Sequence, residues 1–90
     1  MKVIKESVAG SLESSDALIT VSPKKESGVE FTVESIVLKQ FGRRIRAVAE
    51  EIAKAKDLSF ASVNIQDRGA LECTLRARLE TAMDRAAAEA

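Results

Sequence analysis

Two incompatible hydrophobic periods share this chain, and their order limits the architectures open to it. Over residues 17–22, Ala17, Ile19 and Val21 alternate with Leu18, Thr20 and Ser22, the pattern of a half-buried strand. Val29, Phe31 and Val33 repeat it against Glu30, Thr32 and Glu34. The polar, turn-forming segment 23–28 between them makes a hairpin the simplest expectation. Beyond Glu34 the period lengthens, and Val37, Phe41, Ile45, Val48, Ala49 and Ile52 fall on one helical face. This predicts a helix over about residues 35–56, with Ser35 as its N-cap. Gly42 inside it costs about 1 kcal/mol relative to alanine, which implies a close packing contact or a local bend.

Alternation returns in 61–66 and, after the turn chemistry of Asp67-Arg68-Gly69, in Leu71, Cys73 and Leu75, which predicts a second hairpin. Segment 76–90 is rich in helix formers, with Leu79, Ala82, Met83 and Ala86 as its apolar stripe, and segment 3–8 reads as a weak strand. The expected class is α+β: a small antiparallel or mixed sheet of two hairpins packed against one long helix, with a C-terminal helix. Ninety residues close one modest core, so 1–90 is expected to be a single domain.

Composition removes several functions. Fourteen basic and fourteen acidic side chains cancel, so no long-range field draws the chain to nucleic acid or to an anionic membrane, and three aromatic residues offer little stacking surface. No apolar run approaches the roughly 20 residues of a membrane span, and the opening Met1-Lys2-Val3-Ile4-Lys5-Glu6 is unlike a signal peptide. A lone cysteine, Cys73, forms no internal disulfide, which fits a reducing, cytoplasmic setting. Without histidine, the usual zinc ligand sets and the Ser-His or Cys-His nucleophile pairs cannot be assembled, so no independent catalysis and no metal site are expected.

The remaining polar chemistry sits in a loop. Ala9-Gly10-Ser11 breaks the first strand, and Ser11-Leu12-Glu13-Ser14-Ser15-Asp16 is polar apart from Leu12, so its hydroxyls face water or cap local backbone. Cys73, between Leu71 and Leu75, is expected to be a buried thiol acting as a small apolar group, and Phe41 and Phe60 to anchor the core. Arg43, Arg44 and Arg46 form the densest basic cluster, either a solvated helix face or a contact for phosphates or an acidic partner.

The segment Ala9-Gly10-Ser11-Leu12-Glu13-Ser14-Ser15-Asp16 resembles the modification segment of citrate lyase acyl carrier proteins, the gamma subunits of that enzyme. Lys39-Gln40-Phe41-Gly42 with Ile45 is similar to the family's helix. Asp67-Arg68-Gly69-Ala70-Leu71-Glu72-Cys73 with Arg76-Ala77-Arg78 is similar to its last hairpin and helix start, although Arg68 stands where many relatives are expected to have lysine. Each motif alone is common; the three in order carry the resemblance.

The resemblance implies a non-catalytic carrier whose Ser14 is joined through a phosphodiester to phosphoribosyl-dephospho-CoA. The thiol of that arm presents acetyl and citryl thioesters to an alpha (transferase) and a beta (lyase) subunit, while citrate is cleaved to acetate and oxaloacetate. It also implies a prosthetic-group transferase that loads Ser14, for which Glu13 and Asp16 are second-tier recognition candidates. Two alternatives stay open: the acyl carrier of malonate decarboxylase, whose loop is richer in glycine, and a plain α+β interaction module in which Ser14 and Ser15 only cap a turn.

Overall fold

The structure, a computed structural model, describes residues 1–36 and 39–88; the side chains of Lys39 and Gln40 also lie outside the description. The chain runs β1 (Ser7–Gly10), β2 (Ala17–Pro23), β3 (Val29–Ser35), α1 (Lys39–Ala55), β4 (Ala61–Asp67) and α2 (Glu72–Ala87). The four strands form one mixed sheet in the order β1-β2-β4-β3. The α+β class, the mixed sheet and the two helices agree with expectation.

The core follows from strand alternation. Ala17, Ile19 and Val21 on β2 and Ala61, Val63 and Ile65 on β4 are all fully buried. The antiparallel register sets Ile19 opposite Ile65 and Val21 opposite Val63, so the two apolar sets share one face. Helix α1 lays Ile45, Val48, Ala49, Ile52 and Ala53 into that core, and α2 lays Leu75, Leu79, Ala82, Met83 and Ala86. The opposite face of the central strands carries Thr20, Ser22, Ser62, Asn64 and Gln66 and stays partly wet. This is a two-layer solution in which both helices cover one side of the sheet.

The pairing departs from the two expected hairpins. β2 and β3 are not neighbours, because β4 inserts between them, antiparallel to β2 and parallel to β3. The parallel pair is reached through α1, whose 17 residues supply the crossover that parallel strands need. Burial explains the choice: β4 is buried at every second residue and occupies a central position, whereas Val29, Phe31 and Val33 are only half-buried and suit an edge. The hairpin that does form joins β1 to β2, with Ser7 opposite Val21 and Gly10 opposite Leu18.

Leu71, Cys73 and Leu75 are not a strand either. Leu71 is the residue that opens α2, and the spacing Leu75, Leu79, Ala82, Met83, Ala86 extends the helical stripe one turn earlier than expected. Cys73 is therefore exposed rather than part of the core. Ser35 closes β3 instead of capping α1, and its Oγ donates to Asp67 Oδ2 at 3.0 Å. Phe41 is 51% exposed and no core anchor, while Phe60 is half-buried beneath the ammonium of Lys2, 5.0 Å from the ring centroid. Among the described residues a Cβ on Gly42 would meet nothing within 4 Å, so none of them supplies the close contact expected as one explanation for that glycine. Val37, also assigned to the apolar helix face, and Ala90, the end of the predicted C-terminal helix, lie outside the described residues. The weak strand expected over 3–8 begins only at Ser7, although Val3 is buried and its N–H donates to Ser59 O at 3.1 Å.

Candidate functional site

The loop between β1 and β2 is braced on three sides and open on the fourth. It begins at Gly10, whose φ of +91° lies in the left-handed region and whose missing Cβ would stand 1.8 Å from Ala17 O. Only glycine lets the two strand ends approach so closely. Ser11 N–H then donates to Ala17 O (3.2 Å), and Asp16 N–H donates to Glu13 O (3.2 Å), closing a four-residue turn with Ser14 and Ser15 at its tip. Ser15 takes the positive φ, 63°, that a type II turn demands at its third position.

Two further backbone bonds fasten the tip to the exit of β4: Ser15 N–H donates to Arg68 O (2.8 Å) and Arg68 N–H donates to Asp16 O (2.9 Å). They continue the β2–β4 ladder past its last register pair, Ala17 opposite Asp67.

Asp16 is the polar hub. Its carboxylate accepts from Arg78 Nε (3.1 Å) and a second guanidinium nitrogen (3.3 Å), from Ser11 Oγ (2.7 Å) and from its neighbour Ala17 N–H (2.8 Å). Arg78, then the Ser11 hydroxyl and the Ala17 N–H, hold the Asp16 carboxyl at about 2, well below its ordinary value. Ser11 Oγ in turn receives Glu13 N–H at 3.3 Å. Asp16 is thus satisfied by its own chain, whereas Glu13 is exposed.

Ser14 itself is exposed, and its hydroxyl has no hydrogen-bond partner among the described residues. A group attached there would extend into solvent without displacing any core side chain, and the bracing below it would be undisturbed. The residues present therefore fit a covalent attachment point: a free hydroxyl on a short, fixed turn. Among the described residues no base is hydrogen-bonded to this oxygen, so attachment there would need chemistry supplied by another protein.

Sequence reasoning expected a polar loop with an accessible Ser14, and the structure has both; it missed three supports. Arg78 was legible in principle: it stands three residues after Leu75 and four before Ala82, on the flank of the buried stripe, once 71–75 is read as helix. Asp67, 2% exposed, accepts from Ser35 Oγ and Ala70 N–H and so fixes the start of the β4–α2 loop. The Arg68 backbone contact belongs to the sheet topology and has no local signal. Of the basic cluster, Arg44 pairs with Glu72 (2.8 Å) and Arg46 with Glu50 (2.9 Å), leaving a solvated helix face with internal partners. Arg44 and then Arg76 hold the Glu72 carboxyl below the usual range; Glu51 and then Glu72 raise Arg76. Among the described residues no His, Cys, Asp or Glu cluster suits a metal ion, and no helix is long and apolar enough to cross a membrane.

Comparison with known proteins adds the family. The acyl carrier protein family model described as malonate decarboxylase delta subunit (MdcD) matches residues 4–86. The citrate lyase acyl carrier protein of Streptococcus mutans serotype c is 49% identical over 87 residues, covering 97% of this chain and 85% of the relative. The chain belongs to the citrate lyase acyl carrier protein family. Citrate lyase acyl carrier protein 2 of Salmonella paratyphi A is 46% identical, covering 97% of this chain and 90% of the relative. That of Rhodopseudomonas palustris is 44% identical, covering 99% and 91%. A chain in the crystal structure of a Pseudomonas malonate decarboxylase hetero-tetramer in complex with malonate superposes with a TM-score of 0.78 at 20% identity, covering 90% of this chain and 82% of that one, a likeness of fold. Acyl carriers of this kind are non-catalytic subunits of larger enzymes and bear a covalent prosthetic group; this citrate lyase-type carrier shares that role.

Proposed function

We propose that Ser14 Oγ is the attachment point and that the group is phosphoribosyl-dephospho-CoA, joined through a phosphodiester. The observation that carries this reading is the presentation of Ser14: its exposed hydroxyl, without a hydrogen-bond partner among the described residues, stands at the tip of a turn that Gly10, Asp16, Arg78 and Arg68 hold in place. The group supplies a terminal thiol on a long arm, and the hard chemistry of acyl transfer belongs to that thiol and to the partner subunits. This chain's residues keep the attachment point accessible to a prosthetic-group transferase and hold it in a fixed position on the carrier. Tethering then delivers acyl groups to a transferase (alpha) and a lyase (beta) subunit at high effective concentration, in place of two bimolecular captures. The reaction served is cleavage of citrate to acetate and oxaloacetate, in the cytoplasm.

Reconstitution tests the assignment. Loaded chain added to citrate lyase alpha and beta subunits is expected to restore citrate cleavage, and Ser14→Ala chain is expected to leave it at background. Equal cleavage with both would overturn the assignment. The malonate decarboxylase reading predicts instead that the loaded chain serves malonate decarboxylase subunits and not those of citrate lyase. Identities of 44–49% to citrate lyase carriers, against 20% to the malonate decarboxylase chain, favour citrate lyase.

A further inference from the structure

Beside the Ser14 turn lies a groove of about 380 Å³ between α1 and the loop that opens α2. Its walls are Phe41, Ile45, Val48, Leu71 and Leu75, and the Arg44–Glu72 ion pair spans its rim at 2.8 Å. Phe41 is 51% exposed and Leu71 70% exposed. Isolated exposed apolar side chains are ordinary, but two that flank one apolar groove are an adhesive patch. The core does not account for them, since neither is buried in it.

The groove is directly coupled to the attachment point. Ser15 N–H is bonded to Arg68 O, and the next residue, Gly69, lines the groove. That bond and standard backbone dimensions keep the Cα atoms of Ser14 and Gly69 within roughly 10 Å. A chain grown from Ser14 has only that short span to cover to the Gly69 edge of the groove. The volume lies in the range of clefts that hold small organic groups, about 300–1,000 Å³. Apolar walls with a charged rim suit a chain in which alkyl segments alternate with amides, the chemistry of a pantetheine-type arm.

We propose that this groove is the resting seat of the distal part of the carrier's own arm, shielding its thiol or thioester from water and stray nucleophiles between deliveries. The proposal rests on the reading of Ser14 as the attachment point. Seating is weak by construction, because the groove is open and the arm must leave it for each partner. The Phe41 and Leu71 walls, being on the outside, can be altered without touching the core.

The test uses ¹⁵N-labelled full-length chain in a Cys73→Ser background, which removes the protein's own exposed thiol. It is loaded by a citrate lyase prosthetic-group transferase with its activated cofactor, and loading is verified by intact mass. Loading is expected to shift the amide resonances of Val48, Gly69 and Leu71 as well as those of residues 12–16. The arm's thiol is then alkylated with iodoacetamide in the Cys73→Ser chain and in the same chain carrying Leu71→Asp. Aspartate is a favoured residue at the helix-opening position Leu71 holds, so this variant is expected to fold. An arm seated nine-tenths of the time reacts about tenfold more slowly than a free one, so Leu71→Asp is expected to speed alkylation by up to that factor. Loaded chain with shifts confined to residues 12–16 and equal alkylation rates overturns the seat and leaves the Ser14 assignment standing. Failure to load overturns both.

Discussion

Gly10 and Asp16 do for the Ser14 turn what no other residue type does at those positions. A side chain at Gly10 would be forced into a left-handed φ and into Ala17 O at 1.8 Å. Gly10→Ala is therefore expected to lose about 2 kcal/mol or more, read as a lower urea midpoint. Asp16 has a depressed folded-state pKa, so the unfolded chain binds more protons between the two values and stability rises with pH across that window. The stabilisation is complete above the ordinary value of 3.8 and is lost as pH falls through about 2. The stability gap between wild type and Asp16→Asn is expected to stay constant above that window and to narrow within it, which urea titrations at successive pH values measure. A gap independent of pH would mean that the bonds from Arg78, Ser11 and Ala17 together do not favour the ionised carboxylate.

At the scale of elements, what the sequence made legible depended on length of pattern. β2 and β4 each alternate over seven residues, and the buried sets Ala17, Ile19, Val21 and Ala61, Val63, Ile65 were readable outright. Leu71, Cys73 and Leu75 span only five positions, where a strand face and an i, i+4 helical pair look alike, and the misreading put Cys73 inside and hid Arg78. The order β1-β2-β4-β3 is a decision between whole strands, made by which of them is most apolar, and no local motif announces it. The loop was legible from its polar residues after Gly10, and Ser14 within it only through the family resemblance; its bracing by Arg68 and Arg78 was not, since both lie more than 50 positions away in sequence. Gly42 belongs to this scale as well. Among the described residues nothing fills the space beside it, so Gly42→Ala is expected to stabilise α1 by about 1 kcal/mol, seen as a raised urea midpoint with loading of Ser14 unchanged.

Over the whole molecule, the buried side chains gather in a two-layer core and the β1–β2 loop stays solvated. Ile65, fully buried at the centre of β4, holds the layers together, and Ile65→Ala is expected to cost about 2–5 kcal/mol in chemical denaturation. The Ser14 turn contributes no large buried side chain, so the chain is expected to fold without its arm and to keep one cooperative transition before loading. The central claim is that Ser14 alone receives the prosthetic group. It is tested most directly by intact mass and peptide mapping after incubation with a citrate lyase prosthetic-group transferase and its activated cofactor, with Ser14→Ala and Ser15→Ala run in parallel. The account predicts the phosphoribosyl-dephospho-CoA mass on wild type and Ser15→Ala, mapped to Ser14, and none on Ser14→Ala; the same mass on Ser14→Ala, or on no chain, would contradict it.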